Sequence, residues 1–320
     1  MGFRFKAVLA GLALAFASGA AAAAYPEKPV TLVHGFGAGG NADSVARLVA
    51  AELEGRLKQP FVVESRTGAG GTIASGHVAK APADGYTLIM LTGGHTASAA
   101  VRKSVPYDPV ADFSMISTVT QFPFVVAVSA NNPAKTLAEL LQAARGKQGG
   151  VSFSSVGVGS TQHLTGELLA STAKVPMLHI PYRGGGAPVV SVIAGDVDVL
   201  VDTVTVAGPQ IQAGKLRALA VTSGERWPLL PDAPTAKETL PGFEVMSWLG
   251  LAAPAGTPAD VIGKLNAAMD DILKDPGVRK KLNDMGSEPY YSTPGGMRDM
   301  IRDNIDQWKR VVQDAQIPLQ

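Results

Sequence analysis

Three glycine-rich loops are the parts of this 320-residue sequence whose residue types best suit chemistry. Each loop follows a short β-branched run and precedes a helical stretch, and the loops span residues 35–41, 67–72 and 154–161. Backbone N–H groups at a helix N-terminus lack partners within the helix and lie at the positive end of its dipole, so they bind anions. Ligands of open α/β sheets bind beyond the carboxyl ends of the strands, where all three loops must lie. The sequence therefore predicts an anion site built from these loops.

The candidate ligand-binding residues come from these loops and from the strand ends beside them. Asp202 follows a predicted strand, and its sign suits a ligand amine or hydroxyl, unless the carboxylate caps a helix or turn. Arg183 is the nearest cation to the loops, and its alternative is a surface residue before a helix. The predicted set is Phe36, Gly37, Ala38, Gly39, Gly40, Asn41, Ala69, Thr92, Ser154, Ser155, Gly159, Ser160, Thr161, His163, Arg183 and Asp202.

The first loop also matches a dinucleotide-binding pattern, which gives a second hypothesis. Gly35, Gly37 and Gly40 have the G-x-G-x-x-G spacing between a strand and a helix, and Glu64 ends the next strand. The alternative function is thus an exported NAD-dependent oxidoreductase. A chain exported unfolded would have to find its nicotinamide outside the cytoplasm, and Glu64 leads straight into another glycine loop, so we favour a binding protein. An exported structural or adhesive protein is a third class.

Other residue types argue against an enzyme or a metalloprotein. The sequence has no Cys, and its five His residues include no HExxH pair. It contains no G-x-S-x-G motif, so we interpret Ser154, Ser155 and Ser160 as hydrogen-bond donors. The 28 Lys and Arg nearly balance the 27 Asp and Glu without a basic stretch, which disfavours nucleic acid as a partner. We predict no catalytic residue, no metal and no cofactor.

The N-terminal residues predict export. Arg4 and Lys6 precede an uncharged run over residues 7–24 that ends in alanines, and polar residues follow. This order is typical of a cleaved signal peptide with its cleavage site near Ala24. The alternative is an uncleaved membrane anchor, because about 18 apolar residues approach spanning length. We predict a soluble, exported monomer that begins at Tyr25.

The mature chain alternates β-branched runs with Ala- and Leu-rich stretches, which predicts an α/β fold with largely parallel sheets. The predicted strands are 30–34, 61–64, 87–91, 125–128, 151–153, 197–201 and 216–222. The predicted helices are 41–57, 71–80, 136–145, 162–172, 187–194, 259–273, 276–285 and 294–313. The apolar stripe of the last helix is interpreted as core: Met297, Met300, Ile301, Ile305, Trp308, Val311 and Val312.

Two Pro-flanked extended segments, 121–130 and 245–253, predict crossovers between two lobes. Lobe 1 would comprise residues 25–124 and 247–320, and lobe 2 would comprise the inserted residues 125–246. Two crossings act as a hinge that allows the lobes to close on a ligand. The C-terminal helices would then return to pack on lobe 1.

Several segments together resemble the substrate-binding receptors of tripartite tricarboxylate transporters, the TctC or Bug family. They occur in the expected order over essentially the whole mature chain: residues 25–30, 36–47, 62–71, 82–88, 107–113, 157–164, 179–182, 194–198, 216–222, 234–235 and 253–258. The resemblance implies a two-lobed periplasmic binding fold, type II-like, with a small carboxylate in the interlobe cleft. The ligand would be a di- or tricarboxylate, an amino acid or an aromatic acid. The resemblance also implies a periplasmic receptor that delivers its ligand to membrane permease subunits.

One departure from the family pattern lies in the first loop. The usual sequence there is Val-Pro-Phe-Pro-Ala-Gly-Gly, whereas residues 34–40 read His-Gly-Phe-Gly-Ala-Gly-Gly. Gly35 and Gly37 thus replace two prolines, which frees φ at both positions. We expect this wall of the site to be looser or wider than in relatives.

Overall fold

The structure, a computed structural model, describes residues 25–320. The predicted signal peptide, residues 1–24, lies outside the described residues. Within residues 25–320, no helix combines the length and the apolar character needed to cross a lipid bilayer.

The N-terminal part of the chain forms a parallel sheet in which β1 lies between β2 and β3. The strands are β1 (Val30–His34), β2 (Phe61–Ser65) and β3 (Thr87–Thr92), and the helices after them are α1 (Asn41–Leu57), α2 (Thr72–Val78) and α3 (Gly93–Val101). A 3-10 turn at Ala69–Gly71 precedes α2. Because parallel strands end at the same edge of the sheet, α1 and α3 both begin at that edge.

Two long strands of the described chain join its two halves. β4 (Phe113–Ser129) runs antiparallel to β9 (Met246–Pro254) as far as Pro123, and from Phe124 it pairs with other strands. β9 also pairs with β3, in the antiparallel sense. We divide the described residues where β4 changes partners: lobe 1 is 25–124 with 247–320, and lobe 2 is 125–246.

Lobe 2 repeats the parallel arrangement. Its strands are β5 (Val151–Ser155), β6 (Met177–Pro181), β7 (Val199–Thr203) and β8 (Leu216–Val221), and its helices are α4 (Leu137–Gly146), α5 (Thr161–Ala173), α6 (Ala187–Ala194) and α7 (Val204–Gln212). β5 pairs in parallel with β6 and β7, while β4 pairs antiparallel with β7 and β8. A short 3-10 turn lies at Ala236–Glu238. As in lobe 1, α5 and α7 begin where β5 and β7 end.

The C-terminal residues return to lobe 1. They form α8 (Ala259–Lys274), α9 (Pro276–Asp284), β10 (Glu288–Pro289) and α10 (Pro294–Asp314). The predicted stripe of α10 is core: Met297, Ile301, Ile305, Trp308 and Val312 are buried, and Met300 and Val311 are half-buried. From α10, Asn304 Oδ1 accepts a hydrogen bond from Thr96 Oγ1 of α3 at 2.6 Å. The C-terminal helix therefore holds α3, which begins at the site described below.

The predicted α/β fold is confirmed, although β6 and β10 were not among the predicted strands. The sheet also differs from the expectation in its strand directions. It is mixed rather than largely parallel, because β4 and β9 run antiparallel to their neighbours and join the two parallel groups. Two helices were not predicted, α3 and α7. α3 begins with Gly93 and Gly94, and α7 contains β-branched residues and Pro209, all of which have low helix propensity.

Candidate ligand-binding cavity

A cavity of about 440 Å³ lies between the lobes at the carboxyl ends of the parallel strands. Lobe 1 contributes Phe36, the start of α1 and Thr92, and lobe 2 contributes Val156 and the starts of α5 and α7. The joining strands β4 and β9 also contribute lining residues, among them Phe122 and Leu249.

Within the described residues, four helix N-termini converge on this cavity. α1 presents Gly40, Asn41 and Ala42, and α3 presents its N-cap residue Thr92. α5 presents Thr161 and Gln162, and α7 presents Thr203 and Val206. Each N-terminus carries the positive end of a helix dipole, so the cavity favours negative charge. The convergence follows directly from the shared carboxyl edge of each parallel sheet.

Three side chains on the cavity wall have a buried polar atom without a protein partner: Asn41 Nδ2, Asp202 Oδ2 and Thr203 Oγ1. These residues are 6%, 1% and 4% exposed. Asn41 Oδ1 accepts hydrogen bonds from two hydroxyls at 3.0 Å, which leaves its Nδ2 for another acceptor. Buried polar atoms in folded proteins nearly always have a protein or water partner, so these three are the atoms of the wall left for a polar ligand or an ordered water.

Asp202 is the one ionisable side chain among the described residues that line the cavity. Its Oδ1 accepts hydrogen bonds from the Thr203 N–H at 2.7 Å and from Gln162 Nε2 at 3.4 Å. Burial raises the pKa of Asp202 to about 6, and the hydrogen bonds from Thr203 and Gln162 oppose this rise. The protonated form of the carboxyl is therefore readily accessible near neutral pH.

The rest of the wall is apolar. Phe36, Val156 and Leu249 line it together with Phe122 and Phe124, whose rings meet edge to face with centroids 6.1 Å apart. Such a surface packs against hydrocarbon, while the helix N-termini suit anionic groups. The cavity therefore suits a compact ligand with an apolar section and polar ends.

At one place beside the cavity the lobes meet through glycine backbone. The Gly37 N–H donates a hydrogen bond to the Arg183 carbonyl at 3.2 Å, and Gly37 forms a parallel bridge with Gly184. A Cβ added at Gly37 would lie 3.0 Å from backbone atoms of Gly184 and Gly185. The two backbones can approach this closely only because both sides lack side chains.

A second interlobe contact involves the loop before α5. A Cβ on Gly70 would lie 2.7 Å from the Val158 carbonyl oxygen, so these backbones also touch. From α3, Ser98 Oγ donates to the Gly159 carbonyl at 2.9 Å, and the Arg102 guanidinium donates to the Val158 carbonyl at 2.8 Å. The structure is therefore a closed form, held by direct hydrogen bonds between the lobes.

The predicted site residues fall into two groups in the structure. Those that line the cavity are Phe36, Gly40, Asn41, Thr92, Thr161 and Asp202. Those that lie off its wall are Gly37, Ala38, Gly39, Ala69, Ser154, Ser155, Gly159, Ser160, His163 and Arg183. Arg183 is exposed and contacts the opposite lobe through its carbonyl.

The amides of the first glycine loop are bonded within the protein. Gly37 donates to Arg183, Gly39 donates to Asp43 Oδ2 at 2.9 Å, and Gly40 donates to the Gly37 carbonyl at 3.3 Å. These three N–H groups are therefore unavailable to an anion in the closed form, and the start of α1 faces the cavity instead. The same bonds leave no open amide cradle for a pyrophosphate, and Glu64 pairs with Arg66 at 2.7 Å.

Gly35 and Gly37 act through their small size rather than through φ. Neither has a positive φ, whereas Gly39 has a φ of 76°. A Cβ on Gly35 would lie only 2.6 Å from the Gly71 Cα. The expected looser wall is thus not what the structure has, because both glycines are packed against other backbone.

The polar residues of the second loop form a packed cluster. Ser155 Oγ lies 2.6 Å from His179 Nε2, and the His179 ring stacks on His163 with centroids 4.0 Å apart. Ser160 caps α5 by accepting the His163 N–H at 3.2 Å. Burial lowers the pKa of His163 to about 4 and that of His179 to about 3. These neutral rings pack against the loop through the Ser155 contact and the stacking of the two imidazoles.

Several lining residues were not predicted. They are Ala42, Phe122, Phe124, Val156, Gln162, Gly184, Gly185, Thr203, Val206, Ser247 and Leu249. Phe122 and Phe124, like Ser247 and Leu249, occupy alternate positions on the crossing strands, so period-2 alternation places each pair on one face. That signal was present in the two predicted crossovers. Thr203 and Val206 gave no such signal, because Thr203 lies beyond the predicted strand 197–201 and Val206 belongs to the unpredicted helix α7.

Comparison with known proteins gives consistent matches. Residues 45–317 match the family described as "Tripartite tricarboxylate transporter family receptor". A UPF0065 protein from the tcbD-tcbE intergenic region of a Pseudomonas species is 37% identical over 313 residues, 96% of this chain and 93% of that protein. A Rhodopseudomonas palustris protein solved with adipate superposes with a TM-score of 0.89 at 35% identity, over 92% of this chain and 99% of that one. MatC from the same organism, with bound malate, gives 0.86 at 35% identity, over 90% and 100% of the two chains.

We predict that Gly37→Ala shifts the protein toward an open form. The new Cβ would meet the opposing backbone at 3.0 Å, and such overpacking costs about 1–3 kcal/mol, or roughly 5- to 150-fold in the ratio of closed to open protein. Small-angle X-ray scattering should report a larger radius of gyration. The control is Gly186→Ala, since Gly186 has a φ of −82° and open space around its Cα. An unchanged scattering curve for Gly37→Ala would contradict the closure role.

We also predict that Asp202→Asn stabilises the ligand-free protein at pH 7.5. The pKa of Asp202 rises from 3.8 to about 6 on folding, so its protonated form stabilises the fold below pH 4 and this contribution is lost as the pH rises through 6. The free energy of unfolding that is lost is on the order of 3 kcal/mol. Urea unfolding at pH 4.5 and pH 7.5 measures it: the gain in stability of the variant over the wild type should be clearly larger at pH 7.5 than at pH 4.5. Equal stabilities at both pH values would contradict the burial effect.

Proposed function

The chain belongs to the family of tripartite tricarboxylate transporter receptors, and on that premise we propose that it binds a small carboxylate in the interlobe cavity. It is a solute-binding receptor, as its structural neighbours are. Its neighbours are periplasmic binding proteins, which implies a periplasmic location. The proposal adds the chemical class of the solute and its delivery to membrane permease subunits.

The observation that carries the proposal is the convergence of helix N-termini on a cavity that no cationic side chain lines, among the residues described. An anion there is stabilised by main-chain N–H groups and helix dipoles. Asn41 Nδ2 and the Thr92 hydroxyl add neutral donors on the lobe 1 side, and Thr161 and Gln162 add them on the lobe 2 side. A carboxylate is the common metabolite group that such donors suit.

The energetics are sufficient without an arginine. Hydrogen bonds to a charged group contribute roughly 1.5–3 kcal/mol each, so four of them give on the order of 6–12 kcal/mol before ordering costs. Micromolar affinity requires about 8 kcal/mol. Burial of an apolar ligand section against Phe122 and Phe124 adds to this sum.

The ligands named for two relatives support the same class. The R. palustris protein is described with adipate and MatC with malate, both dicarboxylates, and each covers at least 90% of this chain. Adipate and malate are therefore the first candidates for the cavity.

The proposal includes delivery of the bound acid to membrane permease subunits. Support comes from the family description and from the two-lobed architecture, in which a closed, loaded form differs in shape from an open one. We further propose that residues 1–24 are removed near Ala24 on export, as their composition indicates.

Thermal unfolding of residues 25–320 against a panel of acids tests the ligand class. A ligand that binds only the folded protein raises the midpoint as its concentration rises. We expect a shift with at least one mono-, di- or tricarboxylate, amino acid or aromatic acid, with adipate and malate tested first. NAD is included as the alternative: a shift with NAD and with none of the acids would favour an oxidoreductase.

We predict that Asn41→Asp weakens binding of the best acid in this panel by 100-fold or more. The variant keeps the acceptor for Ser287 and Thr205 but replaces the free Nδ2 donor with a second negative charge. Isothermal titration calorimetry provides the affinities. The control is Asn131→Asp, which makes the same change at an exposed position. Equal affinity in Asn41→Asp and the wild type would remove Asn41 from the binding surface.

A further inference from the structure

Asp202 is a buried acidic side chain in a cavity that favours anions, and the proposed ligand class alone does not explain it. Its carboxyl lies in a cavity that favours anions, is 1% exposed, and has Oδ2 on the cavity wall without a protein partner. Its other oxygen is already occupied by the Thr203 N–H and Gln162 Nε2. A ligand group that completes this carboxyl must therefore contact Oδ2.

No charged side chain of residues 25–320 compensates Asp202. On β4 the residue opposite it is Val125, α5 presents Gln162, and α7 presents Thr203. Across the cavity, α1 presents Asn41 and β9 presents Ser247 and Leu249. None of these groups titrates or carries a charge, so the ionisation of Asp202 responds to burial, to its hydrogen bonds with Thr203 and Gln162, and to the ligand.

The helix N-termini decide which ligand group meets Oδ2. α5 and α7 both begin beside Asp202, and their positive ends disfavour an ammonium group and favour an anion. Two carboxylates cannot both stay ionised at hydrogen-bond distance, and a shared proton resolves the conflict, as in aspartic protease dyads. A protonated Asp202 presents an O–H donor where an ionised one presents only an acceptor.

We propose that Asp202 binds the ligand in its protonated form and donates a hydrogen bond from Oδ2 to a second carboxylate, so that the site takes up a dicarboxylate together with one proton. The inference rests on the proposed function and sharpens it. The first carboxylate lies at the start of α1, the apolar section of the ligand lies against the phenylalanines, and the second carboxylate lies between α5 and α7. The proton comes from solvent and is shared between the two carboxyl groups.

Proton uptake is measured directly by calorimetry of adipate binding at pH 7.5 in two buffers with different ionisation enthalpies. We expect close to one proton per bound adipate, and an affinity that falls roughly 25-fold from pH 6.5 to pH 8.0, as the protonated fraction of a group with a pKa of about 6 does. Malate and the strongest dicarboxylate of the panel are measured in the same way. Hexanoate, which lacks the second carboxylate, should bind without proton uptake.

The key variant is Asp202→Asn, whose amide presents a permanent N–H donor in place of the O–H. It should bind adipate at pH 8.0 at least as tightly as the wild type does at pH 6.5, with no proton uptake and little dependence on pH. Asp196→Asn is the matched control, because Asp196 is an exposed residue of the same lobe. That variant should keep the proton uptake of the wild type.

The outcomes separate the two proposals. If a dicarboxylate binds without proton uptake, this inference is wrong while the proposed function stands. If 6-aminohexanoate binds more tightly than adipate and Asp202→Asn abolishes its binding, an ionised Asp202 pairs with an ammonium group and the inference is overturned. If no acid binds at any pH, both proposals fail together.

Discussion

The shared carboxyl edge of parallel strands is the constraint on which the rest of this structure depends. In each lobe the parallel strands end together, and the helices that follow must begin beside one another. α1 and α3 from lobe 1 therefore face α5 and α7 from lobe 2 across one small cavity. The positive field in the cavity is a property of the main chain, so the proposed anion site needs no arginine or lysine on its wall.

The glycines serve this arrangement in a different way from the one their spacing suggests. Gly37 and Gly70 allow the backbone of one lobe to touch that of the other, and the amides of the first loop are bonded to protein acceptors. In the proposed function, anion recognition belongs instead to the starts of the helices that follow the loops. The sequence shows glycine at these positions. The backbone atoms that leave no room for a side chain there belong to the other lobe and are distant in the chain.

Much of the fold could be predicted from local patterns. β1, α1 and α6 have the predicted bounds, and Gly40 and Gly195 mark the start of α1 and the end of α6. α3 and α7 have poor intrinsic propensity and are stabilised by tertiary contacts, as the Thr96 to Asn304 hydrogen bond illustrates. Asp202 was predicted at a strand end, but its burial depends on α5, α7 and the opposite lobe. The cavity residues on β4 and β9 could not be predicted, because the sequence does not show that the crossing strands line the cleft.

β4 passes from one lobe to the other as a single strand: it leaves β9 at Pro123 and joins β7 at Phe124. Motion between the lobes therefore bends a continuous strand instead of rotating a flexible linker. A bent strand favours one direction of opening and closing. Phe122 and Phe124, which line the cavity, lie on that same strand where it changes partners. The size of the proposed ligand therefore sets how far the lobes can close. Substitutions at these two phenylalanines can change selectivity among homologues while the glycine contacts between the lobes stay unchanged.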